Sequence, residues 1–293
     1  MQKQQELEKI LKDLGASFVG FSNIIDNEAA DFPSLNYAVA IGIHLSDAII
    51  EGITDKPTYT YFHHYRTVNS LLDQIALRGV LFLQECGYNA VAVPASQTIN
   101  DKADPYCGLF SHKKAAVMAG LGRIGRNGLF IHKEYGPRVR LSTILTDMKL
   151  DTGSTGISNS SGDLGNASKS LSDVFEGLSN ASIGLGDALE GFRSASEDLQ
   201  NSEYGVNRKY KDIENGNSYS KNLLHNSCGS CNRCVNACPA MALTGKEWYP
   251  GEARDEIIDA KACSDYMNRN FKHIGRGSVC GICISVCPAG VKI

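Results

Sequence analysis

Along the first 150 positions the apolar residues change period repeatedly, and each change marks an element. Leu7, Ile10, Leu11 and Leu14 fall three and four apart, which predicts a helix over 2–14 closed by Gly15. Residues 17–21 and 38–43 are short apolar runs of strand length. Between 68 and 85, Leu71, Leu72, Ile75, Leu77 and Leu81 recur at helical spacing, and the pattern stops near Gly87. Residues 90–94 form a strand ended by Pro94, which has no N–H to give to a sheet. Residues 112–119 read as helix. Residues 129–132 and 139–145 read as two further strands joined through Tyr135, Gly136 and Pro137. Strands alternating with helices predict an α/β (α+β) layered domain over 1–150.

From 151 to 222 the composition turns to Ser, Gly, Asn and Asp, yet the apolar residues stay in register. Leu164, Ala167, Leu171, Val174, Leu178, Ala181, Leu185, Ala188, Phe192, Ala195 and Leu199 alternate in steps of three and four, a heptad seam. Gly165, Gly177, Gly184, Gly186 and Gly191 interrupt it, each weakening a helix by about 1 kcal/mol relative to Ala. Such a helix needs a partner. The expectation is an inserted heptad-repeat arm over 163–200 that forms a homodimer or docks on another protein; an unstructured linker is the competing reading.

The remaining segment, 223–293, is organised by cysteines. Cys228, Cys231, Cys234 and Cys238-Pro239 follow the C-x2-C-x2-C-x3-C-P spacing of two-cluster ferredoxins. Cys263, Cys280, Cys283 and Cys287-Pro288 echo it. Thiolates two residues apart on a tight turn reach different irons of one cubane, and the fourth points to the other cluster. That assigns Cys228, Cys231, Cys234 and Cys287 to one [4Fe–4S] cluster, and Cys238, Cys263, Cys280 and Cys283 to a second. Structural zinc and disulfides compete, but Cys-Pro after a three-residue gap is foreign to four-Cys zinc sites. The N-terminus also lacks an apolar signal region, so a cytoplasmic location with reduced thiols is expected. Cys86 and Cys107 are left over and read as small buried apolar residues.

Composition narrows the class. The formal net charge is −3 over 293 residues, which gives no basic footprint for nucleic acid, and no apolar run is long enough to span a bilayer. Gly120, Gly122 and Gly125 match G-x-G-x-x-G, but a helix precedes them where a dinucleotide site needs a strand. A tight turn approaching the cysteine domain fits better, and a nicotinamide oxidoreductase ranks last.

A resemblance becomes specific here. Ser111-His-Lys113, the block Ala119-Gly-Leu-Gly-Arg-Ile-Gly-Arg-Asn-Gly128, the stretch from Tyr135 to the Leu-Thr-Asp147 strand end, and the double cysteine motif together resemble the epoxyqueuosine reductase family, related to the reductive dehalogenases. The resemblance implies that the first domain is cobalamin-binding-like and holds a base-off cobalamin beside the clusters. It also implies that the clusters pass electrons singly to cobalt, and that a ferredoxin-like or flavodoxin-like donor supplies them. Members acting on tRNA carry a helical-repeat extension, whereas this sequence stops at Ile293, so a tRNA substrate is not expected. The family's acid lies about fourteen residues before the Gly-Leu-Gly turn. That register falls on Tyr106, with Asp104 two residues earlier; both are candidate proton donors.

His112 and Lys113 at a helix start, and Arg138 and Arg140 two apart on a strand, are candidate contacts to a cofactor or an anion. A solvated strand edge is the bland reading of the two arginines. His63 and His64 sit in an aromatic strip and could line a pocket, and Trp248 and Tyr249 could shield a cofactor. The functional expectation is a cobalamin-dependent iron–sulfur reductase. The alternative is a two-cluster electron carrier or reductive activator for a partner enzyme.

Overall fold

The computed structural model describes residues 1–24, 31–97, 99, 106–152, 228–249, 252–275 and 279–291. The heptad segment 163–200 and Asp104 lie outside the described residues.

Helix α1 (Gln2–Asp13) buries Leu7 and Leu11 and ends at Gly15, whose φ of +111° lets Ala16 N–H reach back to the Leu11 carbonyl. Strands β1 (Phe18–Asn23) and β2 (Tyr37–His44) follow, then the short α2 (Asp47–Glu51) and the 27-residue α3 (Tyr59–Glu85). Next come β3 (Ala90–Val93), α4 (His112–Met118), β4 (Gly122–Ile124), β5 (Phe130–His132) and β6 (Val139–Thr146). The cysteine segment adds α5 (Arg233–Asn236), α6 (Ala260–Phe271) and α7 (Ile282–Ser285).

Four strands make one sheet in the order β1-β2-β6-β3, and every neighbouring pair is antiparallel. Both of its faces are covered. Val39, Ile41 and Ile43 of β2 and Ile144 of β6 meet Leu7 and Leu11 of α1 and Leu72, Ile75 and Leu83 of α3. On the other face, Ala38 and Ala40 of β2 and Val139, Leu141 and Leu145 of β6 meet Ala115, Ala116 and Val117 of α4. Each fully buried Leu or Ile contributes about 1.5–3 kcal/mol, so this double-sided core dominates the stability. It also explains why these strands read as near-continuous apolar runs.

Three sequence expectations change. Helix α3 starts at Tyr59, not near 68, because Thr58 caps it by accepting from Tyr61 N–H and because Tyr61 is buried. Its buried stripe runs through Val68, Leu72, Ile75, Ala76 and Val80, leaving Leu71, Leu77 and Leu81 exposed. The glycine motif is not only a turn: Gly122 lies in β4, which pairs with β5 in a separate two-stranded sheet. A Cβ on Gly122 would stand 2.1 Å from the Ile131 carbonyl oxygen, so only glycine lets these strands close.

The cysteine segment packs on this frame. Val279, Ile282 and Ile284 join the α1–α3 core. Gly136, at φ +57°, lies under the backbone of Ala289, and Gly281, at φ +81°, fits beneath Tyr61 and Ile53.

Candidate functional site

Two groups of residues carry chemistry, and the β4 strand with the residues after it separates their roles. The first group is the cysteines. Cys228, Cys231, Cys234 and Cys287 line one small cavity together with Arg123, Arg126, Asn127 and Arg233. Burial pushes the Cys234 thiol up, and neighbouring Cys287 and Cys228 add to it; Cys287 is raised the same way, with Cys228 and Cys231 beside it. Burial likewise pushes Cys263 up to about 11, with Cys280 and Cys238 as neighbours. Cys283 is raised furthest in direction, first by burial and then by Cys280, Cys263, Cys234 and Cys238. Cys228, Cys231, Cys234 and Cys287 thus share one cavity, and Cys238, Cys263, Cys280 and Cys283 are electrostatic neighbours, with Cys234 also felt at Cys283. Cys234, Cys263, Cys280, Cys283 and Cys287, raised in this way, stay neutral unless cations bind them.

Among the described residues no three His, Cys, Asp or Glu side chains converge on a single ion position. Four thiols lining one cavity suit a multi-iron cubane, in which each sulfur takes its own iron. A second observation fits a cluster here. Arg123 Nε and Arg126 Nε are buried with no acceptor among the described residues, as is Arg138 Nε away from the thiols. Buried N–H groups are almost always paired, so two orphans beside four thiols leave room for acceptor sulfurs.

Arg123, Arg126 and Asn127 were not singled out from sequence. Arg123 Nη2 donates to Cys228 Sγ at 3.8 Å. Arg126 Nη1 donates to the Cys231 carbonyl at 3.1 Å and to Asn232 Oδ1 at 2.9 Å, and Arg126 pairs with Glu247 at 3.6 Å. Glu247 Oε1 in turn accepts from Cys228 N–H at 2.7 Å. Asn127 Nδ2 donates to the Cys283 carbonyl at 3.5 Å. The signal available in sequence was two arginines interleaved with three glycines, which reads as a ligand loop until the strand pairing is known.

The second group lines a cavity of about 710 Å³, within the usual range of small-molecule pockets. Its wall comes from the end of β3, residues 106–114, Trp248 and residues 252–255, 257 and 258. Tyr106, His112, Lys113 and Arg140 all line it. Tyr106 is 36% exposed, and its carbonyl accepts from Arg254 Nη1 at 2.8 Å. Cys107, also on the wall, has Arg254 3.7 Å from its sulfur, so it is a cavity residue instead of a core one.

Lys113 donates to the Gly128 carbonyl at 2.6 Å, and burial followed by repulsion from Arg254 lowers it to about 8. Arg140 donates to Asn69 Oδ1 at 2.8 Å and to the Ala95 carbonyl at 3.2 Å, and stacks over Tyr65 at 4.4 Å. Both cations thus rest on neutral partners in these contacts. His112 differs. Its Nε2 lies 2.9 Å from the Pro94 carbonyl and its Nδ1 2.8 Å from Thr143 Oγ1. A carbonyl only accepts, so Nε2 carries the proton and Nδ1 takes the threonine hydrogen. Burial lowers this ring to about 4 and keeps it neutral. Both ring nitrogens are used internally, which corrects the expectation of a cofactor contact from His112: it pins α4 to the sheet.

Arg138 is corrected too. Its side chain is 4% exposed and donates to Asp47 Oδ1 at 2.6 Å, with Glu51 at 3.6 Å. That bond holds the Asp47 carboxyl below its ordinary value. Arg138 is not on the cavity wall, and neither are Gly120, Gly122 and Gly125. Gly120 turns the chain at φ +70° between α4 and β4, while Gly125 fits against the Ile131 side chain. His64 accepts from Ser46 N–H at 3.1 Å, and His63 is exposed; neither lines the cavity. Trp248 does, and its Nε1 donates to the Glu252 carbonyl at 3.1 Å.

Residues 227–290 match the family model of a 4Fe-4S double cluster binding domain. An 81-residue stretch is 33% identical to the tetrachloroethene reductive dehalogenase of Desulfitobacterium hafniense, covering 28% of this chain and 12% of that protein. Among solved structures, a reductive dehalogenase described by a mechanism for B12-dependent dehalogenation aligns with a TM-score of 0.59. Identity is 17%, over 98% of this chain and 31% of that one. An epoxyqueuosine reductase in complex with an epoxyqueuosine-modified tRNA stem loop aligns with a TM-score of 0.51 and 14% identity, over 99% of this chain and 65% of that one. These likenesses show a shared fold. The chain spans about an eighth of the curated relative and under a third of the dehalogenase structure. No helix among the described residues is long and apolar enough to cross a membrane.

Proposed function

We propose that the chain is an iron–sulfur reductase that uses a corrinoid in the 710 Å³ cavity to reduce a small anionic substrate. The observation that carries the reading is that cavity, placed in a fold shared with a B12-dependent dehalogenase and next to a double-cluster domain. Its lining suits such a cofactor in chemistry. Val93, Phe110, Trp248, Ile257 and Ile258 give an apolar wall for a macrocycle, and Lys113 and Arg140 give donors for its polar rim or for the substrate. When bound, a corrinoid supplies a low-potential metal centre for reductive bond cleavage.

The chain's own residues do the rest. Cys228, Cys231, Cys234 and Cys287 would hold one cluster, and Cys238, Cys263, Cys280 and Cys283 the other. Lys113 and Arg140, which have no carboxylate in their contacts among the described residues, favour an anion beside them. Tyr106 lines the same wall, and a phenol there is suited to protonate a reduced product. An electron carrier without chemistry of its own would leave this cavity unused.

Anaerobic purification with iron, sulfide and cobalt analysis, followed by ultraviolet–visible spectra after cobalamin addition, tests the proposal. Retention of about one corrinoid per chain is expected. No retained corrinoid, with both clusters loaded, would remove the reductase reading and leave electron transfer.

A further inference from the structure

The two arginines of the glycine motif face the cysteines, not the 710 Å³ cavity, and the proposed reductase chemistry does not use them directly. We propose that the Arg123 and Arg126 N–H groups donate to sulfur atoms of the Cys228-Cys231-Cys234-Cys287 cluster and hold its reduction potential above that of the second cluster. The first electron taken up would then rest on the Cys228 set.

Three observations support this. Arg123 Nη2 already lies 3.8 Å from Cys228 Sγ. Arg123 Nε and Arg126 Nε are buried without an acceptor among the described residues, so each has a hydrogen bond left to give. Both side chains line the cavity that the four thiols share, and Arg233 lines it as well. The other set has a different neighbourhood: the Asp259 carboxylate caps the helix that carries Cys263, accepting from Ala262 N–H at 2.8 Å.

Electron balance gives the direction. An external one-electron donor protein loses one electron, and the cluster core gains one negative charge with no bond broken and no proton moved. Guanidinium N–H donors and cations stabilise that added charge, whereas a nearby carboxylate opposes it; at the first set Glu247 is paired with Arg126, and Arg123 and Arg233 are there besides. The difference raises the first potential relative to the second. This also gives the glycine motif a role. Gly122 and Gly125 let β4 pair tightly with β5, and that pairing presents Arg123 and Arg126 from a rigid strand end.

The inference rests on the double-cluster reading of 227–290, which iron and sulfide analysis tests separately: eight irons per chain must be present before potentials are compared. The experiment is a redox titration of the reconstituted full chain followed by electron paramagnetic resonance, in wild type, Arg123→Gln, Arg126→Gln and Arg123→Lys. Two reduction steps are expected. In Arg123→Gln the higher step should fall by a tenfold change in the reduced-to-oxidised ratio, which is 59 mV for one electron. The lower step should stay in place. Arg126→Gln should lower the same step, and Arg123→Lys, which keeps the charge, should fall less than Arg123→Gln. An unmoved higher step in both glutamine variants with full iron would overturn the proposal, as would movement of the lower step alone. Should the variants load fewer irons, resonance Raman spectra of the wild-type protein in H2O and D2O decide instead. Fe–S bands that shift on N–H exchange support the donors, and bands that do not shift overturn them.

Discussion

Replacing Gly136 by Ala tests how the cysteine segment is held. Gly136 has φ +57°, a conformation that costs an L-residue about 1–2 kcal/mol. The added Cβ would also stand 1.9 Å from the Ala289 carbonyl oxygen, so that backbone must retreat by about 1.5 Å to reach ordinary contact at 3.4 Å. Such overpacking costs about 1–3 kcal/mol more. Gly87 provides the control, because its φ is +86° and nothing lies within 4 Å of where an alanine methyl would sit. Gly87→Ala should therefore cost only the backbone strain, about 1–2 kcal/mol, against about 2–5 kcal/mol for Gly136→Ala. At about 2–4 °C per kcal/mol, melting should drop by roughly 2–8 °C and 4–20 °C respectively. Ala289 lies two residues beyond Cys287, so only Gly136→Ala should also lose iron from the first cluster. Circular dichroism melts and iron analysis read both effects. Equal melting losses and full iron in both variants would refute the claim that this contact positions Cys287.

Other outcomes follow from the cavity wall and the insertion. Lys113 is depressed from 10.5 to about 8 in the folded chain, so between those values the unfolded chain binds more protons. Stability should rise with pH from about 8 to 10.5, and denaturant titrations of Lys113→Met should lack that rise. His112 is lowered to about 4 by burial, so its contribution is lost as pH falls from 6.5 through 4. His112→Phe should remove that acid sensitivity and cost roughly 1–3 kcal/mol for each of Thr143 and Pro94 left without its partner, read by urea unfolding at pH 7. Deleting 155–205 should turn a dimer into a monomer by light scattering; an unchanged mass would remove the dimer role of the heptad arm.

Much of the sheet was legible because the apolar runs of β2 and β6 are long enough to be buried on both faces. Its antiparallel order was not, since strand pairing depends on the crossing of α3 and not on any residue in the strands. The start of α3 was missed for a local reason. Tyr59, Tyr61, Phe62 and Tyr65 favour strands as readily as helices, and Thr58 as the cap was the one clear sign. The cysteine segment was readable from spacing alone. The cavity was not, because its wall draws on three separate stretches and none has a period. Arg138 and Arg140 looked equivalent two positions apart, yet β6 begins between them at Val139, and they end on an acid pair and a cavity wall respectively.

The clasps on the cysteine segment have a temporal consequence. Arg126 holds Cys231, 105 positions later, and Asn127 holds Cys283, 156 positions later. A ribosome therefore releases Arg126 and Asn127 long before it releases the last thiols, and iron loading must wait for a late segment that also brings Val279, Ile282 and Ile284 to the core.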